Sequence, residues 1–274
     1  MKNILFILLL ALLFSCTGEK RESETPRYVV TSPEVGEIVY LLQGTKNIVG
    51  VTEETDYPLP LQKIAKVGRF GAVSREKIIA LEPTLVFTSG LEQEFLAHEL
   101  SKAGIVTVLI YPQSLSALLS GIEEVARYLE IEERGKTVVD SLREEINFLR
   151  FEGEERPRVY IEIYGDPIMS VSRNSFVGEL IEIAGGENIF TELPRDYSRV
   201  RAEDVIRSDP EIIILTYPGV TPREIKFRKG WQYISACRND RIYGVEDLDP
   251  DLILRAGPRI TEGLRILKRV FQGI

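Results

Sequence analysis

The sequence predicts an α/β protein of two lobes with mostly parallel sheets, joined by a long α-helix and leaving a ligand cleft between them. Three observations carry that expectation. Short β-branched runs alternate with helical patterns along both halves, as parallel strands covered by helices require. A motif of the first half returns in the second. Between the halves, apolar residues recur at helical spacing, with no proline- or glycine-rich linker.

In the first half, Tyr28–Thr31, Ile48–Val51, Leu85–Phe87 and Val106–Ile110 read as strands, and Glu34–Leu42, Ser74–Leu81 and Glu92–Ala103 as helices. Leu115, Leu118, Leu119, Ile122, Val125, Ala126 and Leu129 then form one helical stripe, and Val139, Leu142, Ile146 and Leu149 the next. The charged, periodic run Ile131–Phe151 is expected to be the helix that crosses between lobes, stopping before Gly153 and Pro157. Bending such a helix would break main-chain hydrogen bonds, so only small closure of the lobes is expected. In the second half, strands are expected at Arg158–Ile163, Ile212–Leu215 and Arg241–Gly244, with helices at Ser175–Ala184, Ala202–Arg207 and Pro258–Phe271. The last helix places Ile260, Leu264, Leu267 and Phe271 on one face. The resulting units are a Rossmann-like lobe over 28–130, a linker helix over 131–153 and a second such lobe over 154–274.

The internal repeat aligns the segment from Val73 to Phe87 with that from Val200 to Ile214. Val73, Glu76, Ile79, Glu82-Pro83 and the apolar triplet from Leu85 meet Val200, Glu203, Ile206, Asp209-Pro210 and Ile212–Ile214, at a separation of 127 positions (203 − 76). Each copy reads as a short helix stopped by proline, which cannot extend it, and then a buried strand.

The N-terminus has its own logic. Lys2 precedes an unbroken apolar run from Ile4 to Phe14, followed by Ser15 and Cys16, the layout of a secretion signal over 1–15. The run falls short of the roughly 20 apolar residues that span a bilayer. Leu13-Phe14-Ser15-Cys16 resembles the lipobox of bacterial lipoproteins, which implies that Cys16 is lipidated; a plain signal with an incidental cysteine is the alternative. Residues 16–27, charged and without apolar periodicity, read as a flexible tether.

Composition excludes several classes. A net charge of −8 argues against nucleic acid as partner. The single histidine, His98, cannot build a multi-histidine metal site, so capture of free zinc or manganese is not expected. Cys237 is the only cysteine besides Cys16, which leaves no disulfide framework if Cys16 carries lipid. No G-x-S-x-G elbow, P-loop or dinucleotide glycine fingerprint is present. A carboxylate-pair hydrolase stays open on the residues alone, without support from the repeat.

Several motifs coincide in order and spacing. They are Ser32-Pro33 with Glu37-Ile38, Val49-Gly50-Val51-Thr52, Asp56-Tyr57-Pro58 and Lys66-Val67-Gly68 in the first half. In the second come Ser175-Phe176, Ala184-Gly185-Gly186-Glu187-Asn188, Trp231, Asn239-Asp240-Arg241-Ile242-Tyr243 and Gly257-Pro258-Arg259. Together these resemble the helix-linked periplasmic binding proteins that serve cobalamin, iron-siderophore and heme ABC importers, nearest the vitamin B12-binding branch. The resemblance implies a monomeric, non-enzymatic protein with no cofactor of its own. It also implies partners in a permease dimer with its ATPase subunits, and a cargo ranked as corrinoid, then ferric siderophore, then heme. By the same resemblance Glu76 and Glu203 are the surface acids that dock on the permease, one per lobe. Ligands of parallel α/β sheets bind beyond the carboxyl ends of strands. That rule nominates Asp56, Tyr57, Arg69, Phe70, Tyr111, Tyr164, Asp166, Arg173, Tyr217 and Asp247. Trp231 reads as packing at a helix start.

Overall fold

The structure, a computed structural model, describes residues 25–90 and 93–273. The signal segment, Cys16 and the tether as far as Glu24 lie outside the described residues. The first lobe runs β1 (Tyr28–Val30), α1 (Pro33–Gln43), β2 (Ile48–Val51), α2 (Leu59–Gln62), β3 (Gly68–Arg69), β4 (Ala72–Val73), α3 (Arg75–Ala80), β5 (Leu85–Thr88), α4 (Glu94–Lys102) and β6 (Val106–Leu109). Four strands make a wholly parallel sheet in the order β2-β1-β5-β6. Its central strands β1 and β5 are buried throughout, as a sheet covered on both faces demands. Pro33 sits in the first turn of α1, where its missing N–H is no loss, and Gly44 ends the helix at φ 73°.

Two antiparallel helices follow, α5 (Leu115–Tyr128) and α6 (Glu132–Leu149). Ser114 starts α5 by accepting from the Ala117 amide at 3.1 Å. The predicted crossing helix is α6, shorter than the expected 131–151 and far from a free-standing rod. It packs on α5 and also on the C-terminal helix α12 (Ile260–Gln272). Gly135 permits the close α5–α6 approach, because a Cβ there would run into that of Ala126.

The second lobe comprises β7 (Arg158–Gly165), β8 (Ile168–Val171), α7 (Phe176–Ala184), β9 (Glu187–Asn188), β10 (Tyr197–Arg199), α8 (Ala202–Ser208), β11 (Ile212–Leu215), α9 (Pro222–Lys226), a 3-10 turn Trp231–Tyr233, α10 (Ser235–Arg238), β12 (Ile242–Tyr243), α11 (Asp251–Leu254) and α12. The sheet order is β10-β8-β7-β11-β12, with β9 also on β7. Strands β7, β11 and β12 are parallel, whereas β8 runs against both its neighbours. Neither β8 nor β10 was expected from the sequence. The Asp166-Pro167 turn folds the chain straight back, and Tyr197-Ser198-Arg199 buries only its serine.

The repeat is structural. Shifted by the separation of 127, α3 and β5 fall on α8 and β11. Glu82 and Asp209, at φ 46° and 43°, hold the same left-handed turn before Pro83 and Pro210. Arg27 donates to the Leu81 and Glu82 carbonyls at 2.7–3.2 Å, and Arg158 to those of Ser208 and Asp209 at 2.8–3.2 Å. Each arginine thus satisfies the carbonyls at the end of its lobe's repeat helix.

One apolar cluster then runs through both lobes. Val30, Phe87 and Leu118 join Ile122, Val139 and Ile146, and these continue into Leu180, Ile253, Leu264 and Leu267. The lobes therefore sit on a shared apolar interior. Among the described residues, no helix is long and apolar enough to cross a membrane.

Candidate ligand crevice

The lobes meet along an ionic seam as well as through the core. Glu37, on α1 and only 3% exposed, is gripped bidentately by Arg259, at 2.7 and 2.8 Å. Arg255 reaches Glu37 at 3.4 Å, Asp56 at 2.9 Å and Asp251 at 2.7 Å. Burial alone would raise the Asp56 carboxyl, but the hydrogen bond and charge of Arg255 outweigh it and hold it below the usual range. The Asp251 carboxyl is pushed up instead, chiefly by burial. The Arg259 guanidinium also stands 4.0 Å over the Tyr57 ring.

Beside this seam lies a cavity of about 400 Å³ between the lobes. Glu34, Tyr111, Pro112 and Gln113 wall it from the first lobe. Facing them are Phe176, the loop from Arg195 to Tyr197, and Leu254 to Ala256. Phe176 is buried at the start of α7, whose first turn is capped by Ser175 Oγ accepting from the Gly178 amide at 3.0 Å. Its ring supplies an apolar floor. Tyr111 and Tyr197 approach from opposite lobes, both part-exposed. Burial, with Tyr111 and Asp196 nearby, pushes the Tyr197 hydroxyl up to about 12, so it remains a hydrogen-bond donor at neutral pH. Glu34 accepts from Ser89 Oγ at 2.8 Å. Arg195 makes no ion pair among the described residues. The walls therefore offer aromatic area, the cations Arg195 and Arg255 and the acids Glu34 and Asp196, suited to a part-apolar, polar-rimmed ligand.

The sequence-nominated residues divide by location. Tyr111 lines the cavity, while Asp56 and Tyr57 belong to the seam. Arg69 and Phe70 sit on the β3–β4 hairpin, where the Phe70 amide donates to Glu54 at 2.9 Å and its carbonyl accepts from Gln93 at 3.1 Å. Tyr164 and Tyr217 lie at the carboxyl ends of β7 and β11, rings tilted with centroids 6.1 Å apart. Asp166 is exposed in the β7–β8 turn, and Asp247 closes the turn after β12 by accepting from the Gly244 amide at 2.8 Å.

Arg173 requires correction. It pairs with Glu182 at 2.6 Å and shares a depression with Arg150 and Arg156, near the amino end of β7. The strand-end rule assumed parallel strands; β8 is antiparallel, so its carboxyl end points the opposite way. Reading from sequence also missed Glu34, Phe176, Arg195, Tyr197 and Arg255 as cavity residues. The available signal was Pro194-Arg195-Asp196-Tyr197, a polar loop carrying an aromatic between apolar segments.

The second lobe holds one more polar cluster. Glu162 on β7, fully buried, is bound bidentately by Arg228 at 2.6 and 2.8 Å. It also accepts from Tyr160 at 2.8 Å and Tyr217 at 2.5 Å. Burial disfavours charge on Arg228, but Glu162 overrides this and raises it. Trp231, under the Arg228 guanidinium at 4.8 Å, is buried edge-on to Tyr160.

Glu76 and Glu203 are each the second residue of a repeat helix, α3 and α8, and both are exposed. Acid is favoured there by the helix dipole whatever else it does.

Comparisons with known proteins converge. The family profile described as Periplasmic binding protein matches residues 29–254. An uncharacterized ABC transporter substrate-binding lipoprotein, YvrC of Bacillus subtilis (strain 168), is 28% identical over 256 residues, covering 90% of this chain and 80% of the relative. A vitamin B12-binding protein of Vibrio parahaemolyticus is 27% identical over 243 residues, 87% and 86% of the two chains. Among solved structures, a possible iron-binding periplasmic protein of Staphylococcus epidermidis superposes with a TM-score of 0.79 at 25% identity, covering 89% and 97%. The heme-binding BhuT, at 20% identity and a TM-score of 0.80 over 89% and 97%, shares the fold.

Proposed function

This chain belongs to the periplasmic binding protein family of ABC importers, and from that premise we propose that it captures a bulky chelated nutrient in the crevice between its lobes. It is a binding protein and not an enzyme, the substrate-binding component of an importer built from permease and ATPase subunits. A corrinoid is the first-ranked cargo, a ferric siderophore the second and heme the third. One observation carries this reading. Tyr111 and Tyr197 face each other from opposite lobes across a cavity that also holds Arg195 and Arg255. At about 400 Å³ the cavity lies at the small end for ligand pockets, so a macrocycle would stand in its mouth, edge inward.

Around that site, the units are the lobe over 28–130, the crossing segment over 131–153 and the lobe over 154–274. A signal over 1–15 and a tether over 16–27 precede them, and lipid on Cys16 would hold the monomer at the outer face of the cytoplasmic membrane. Glu76 and Glu203, one on each repeat helix, would grip basic sites on the two permease subunits and orient the encounter.

Native mass spectrometry and visible absorbance after exposure to cyanocobalamin, a ferric trihydroxamate and hemin test the cargo. One chromophore retained at one-to-one ratio is expected; retention of none removes the reading. The docking assignment is tested by Glu76→Lys with Glu203→Lys, which should abolish uptake at unchanged ligand affinity. Uptake that survives both reversals overturns it.

A further inference from the structure

Nothing in the fold requires a buried ion pair at Glu162, within β7. At the matching place in the first lobe, after β1, Thr31 is satisfied by the neutral side chain of Gln93. The pairing of Tyr28 with Leu85 and of Val159 with Ile212 makes Thr31 and Glu162 equivalent. One lobe thus closes its strand end without charge. The other removes a carboxylate and a guanidinium from water, a cost that the attraction of the pair often only offsets.

What the charged version does differently is hold Tyr217. Its hydroxyl donates to Glu162 at 2.5 Å and accepts from Arg228 at 3.3 Å, so the ring is fixed from two sides. Gly165 completes the seat, because a Cβ there would collide with the Tyr217 hydroxyl. Tyr164, 52% exposed, lies tilted against the Tyr217 ring. The pair therefore fixes the Tyr217 ring, with Tyr164 tilted against it, at the carboxyl end of the sheet, where parallel α/β sheets bind ligands.

We infer that Glu162 and Arg228 are positioning residues for ligand capture, presenting Tyr217 and Tyr164 as a rigid aromatic shelf for the flat or apolar face of the cargo. The inference rests on the crevice reading above. Its physical basis is preorganisation: rings already fixed lose less freedom when the ligand arrives. Burial first, and then the hydrogen bond to Glu162, push the Tyr217 hydroxyl up to about 12, which supplies an independent signature.

The test is the double variant Glu162→Gln/Arg228→Met, with Tyr217→Phe beside it. Removing both charges together leaves no uncompensated buried ion, so the unfolding midpoint should stay close to that of the wild type. Affinity for the retained probe, whether cyanocobalamin, ferric trihydroxamate or hemin, should fall by about tenfold in both variants. Ultraviolet titration of the double variant should show one tyrosine returning from about 12 toward the ordinary 10.0. Should the double variant fail to fold, Tyr217→Phe alone decides the matter. Wild-type affinity in Tyr217→Phe overturns the inference and leaves the crevice reading standing. If the wild-type protein retains none of the three probes, the crevice reading fails and the inference falls with it.

Discussion

At one equivalent place on their first strands the two lobes satisfy a buried polar group by different chemistry. In the first, Gln93, 2% exposed, donates to the Thr31 and Phe70 carbonyls and accepts from the Ser89 amide and the Thr31 hydroxyl. In the second, Glu162 takes two bonds from Arg228 and one each from Tyr160 and Tyr217. The backbone around these clasps is nearly superposable in its bonding. Thr84 and Glu211 donate their amides to Arg27 and Arg158, each at 2.8 Å. Duplication of a backbone plan therefore dictates where a buried polar end must be satisfied, and leaves open whether an amide or an ion pair does it.

The sharpest way to break the comparison is to remove one partner from the charged clasp. Arg228→Met leaves Glu162 buried without its countercharge and should cost about 3–5 kcal/mol, read from urea unfolding. Gln93→Leu strips the neutral clasp of its polar atoms and should cost about 1–3 kcal/mol, because the Thr31 and Ser89 groups lose partners without becoming charged. Equal losses in the two variants would mean that the clasps differ in name only. The shared part of the plan predicts matched effects: Arg27→Ala and Arg158→Ala should each cost about 1 kcal/mol. A clear inequality would show that the repeat is not energetically symmetric.

The smallest effect is a slope with pH. Tyr217 is raised from 10.0 to about 12 in the folded chain, so its contribution is fully present below pH 10 and is lost as pH rises through about 12. The neutral clasp contains no group that titrates there. Alkaline weakening of the urea midpoint should therefore shrink in Tyr217→Phe and persist in Gln93→Leu.

Legibility of the sequence followed locality. Strands β1, β5 and β11 were readable because their apolar runs are continuous, and α12 because Ile260, Leu264, Leu267 and Phe271 repeat at helical spacing. The internal repeat survived translation into structure down to the left-handed acids before Pro83 and Pro210. Strand β10 was not legible, since two of its three residues face solvent, and β8 was hidden behind a turn whose direction pattern alone does not give. That one reversal misplaced Arg173 and concealed the loop from Arg195 to Tyr197.

The candidate site divides in the same way. Tyr111 could be nominated because it follows a parallel strand directly. Asp56 and Tyr57 were nominated for ligand, yet Arg255 and Arg259, distant in sequence, draw them into the seam between lobes. Gln93 and Arg228 gave no local sign of their roles, because each is defined by the strand end it reaches across the fold.

The sequence by itself determined the alternation of strands and helices, the duplicated unit, the crossing helix and the family, since all are written in short-range pattern. Tertiary structure alone decided which cations meet which acids, which aromatics face each other and which strand runs backward. Those outcomes depend on pairing between residues far apart in the chain, and a buried charge acquires its meaning only from the partner that packing brings to it.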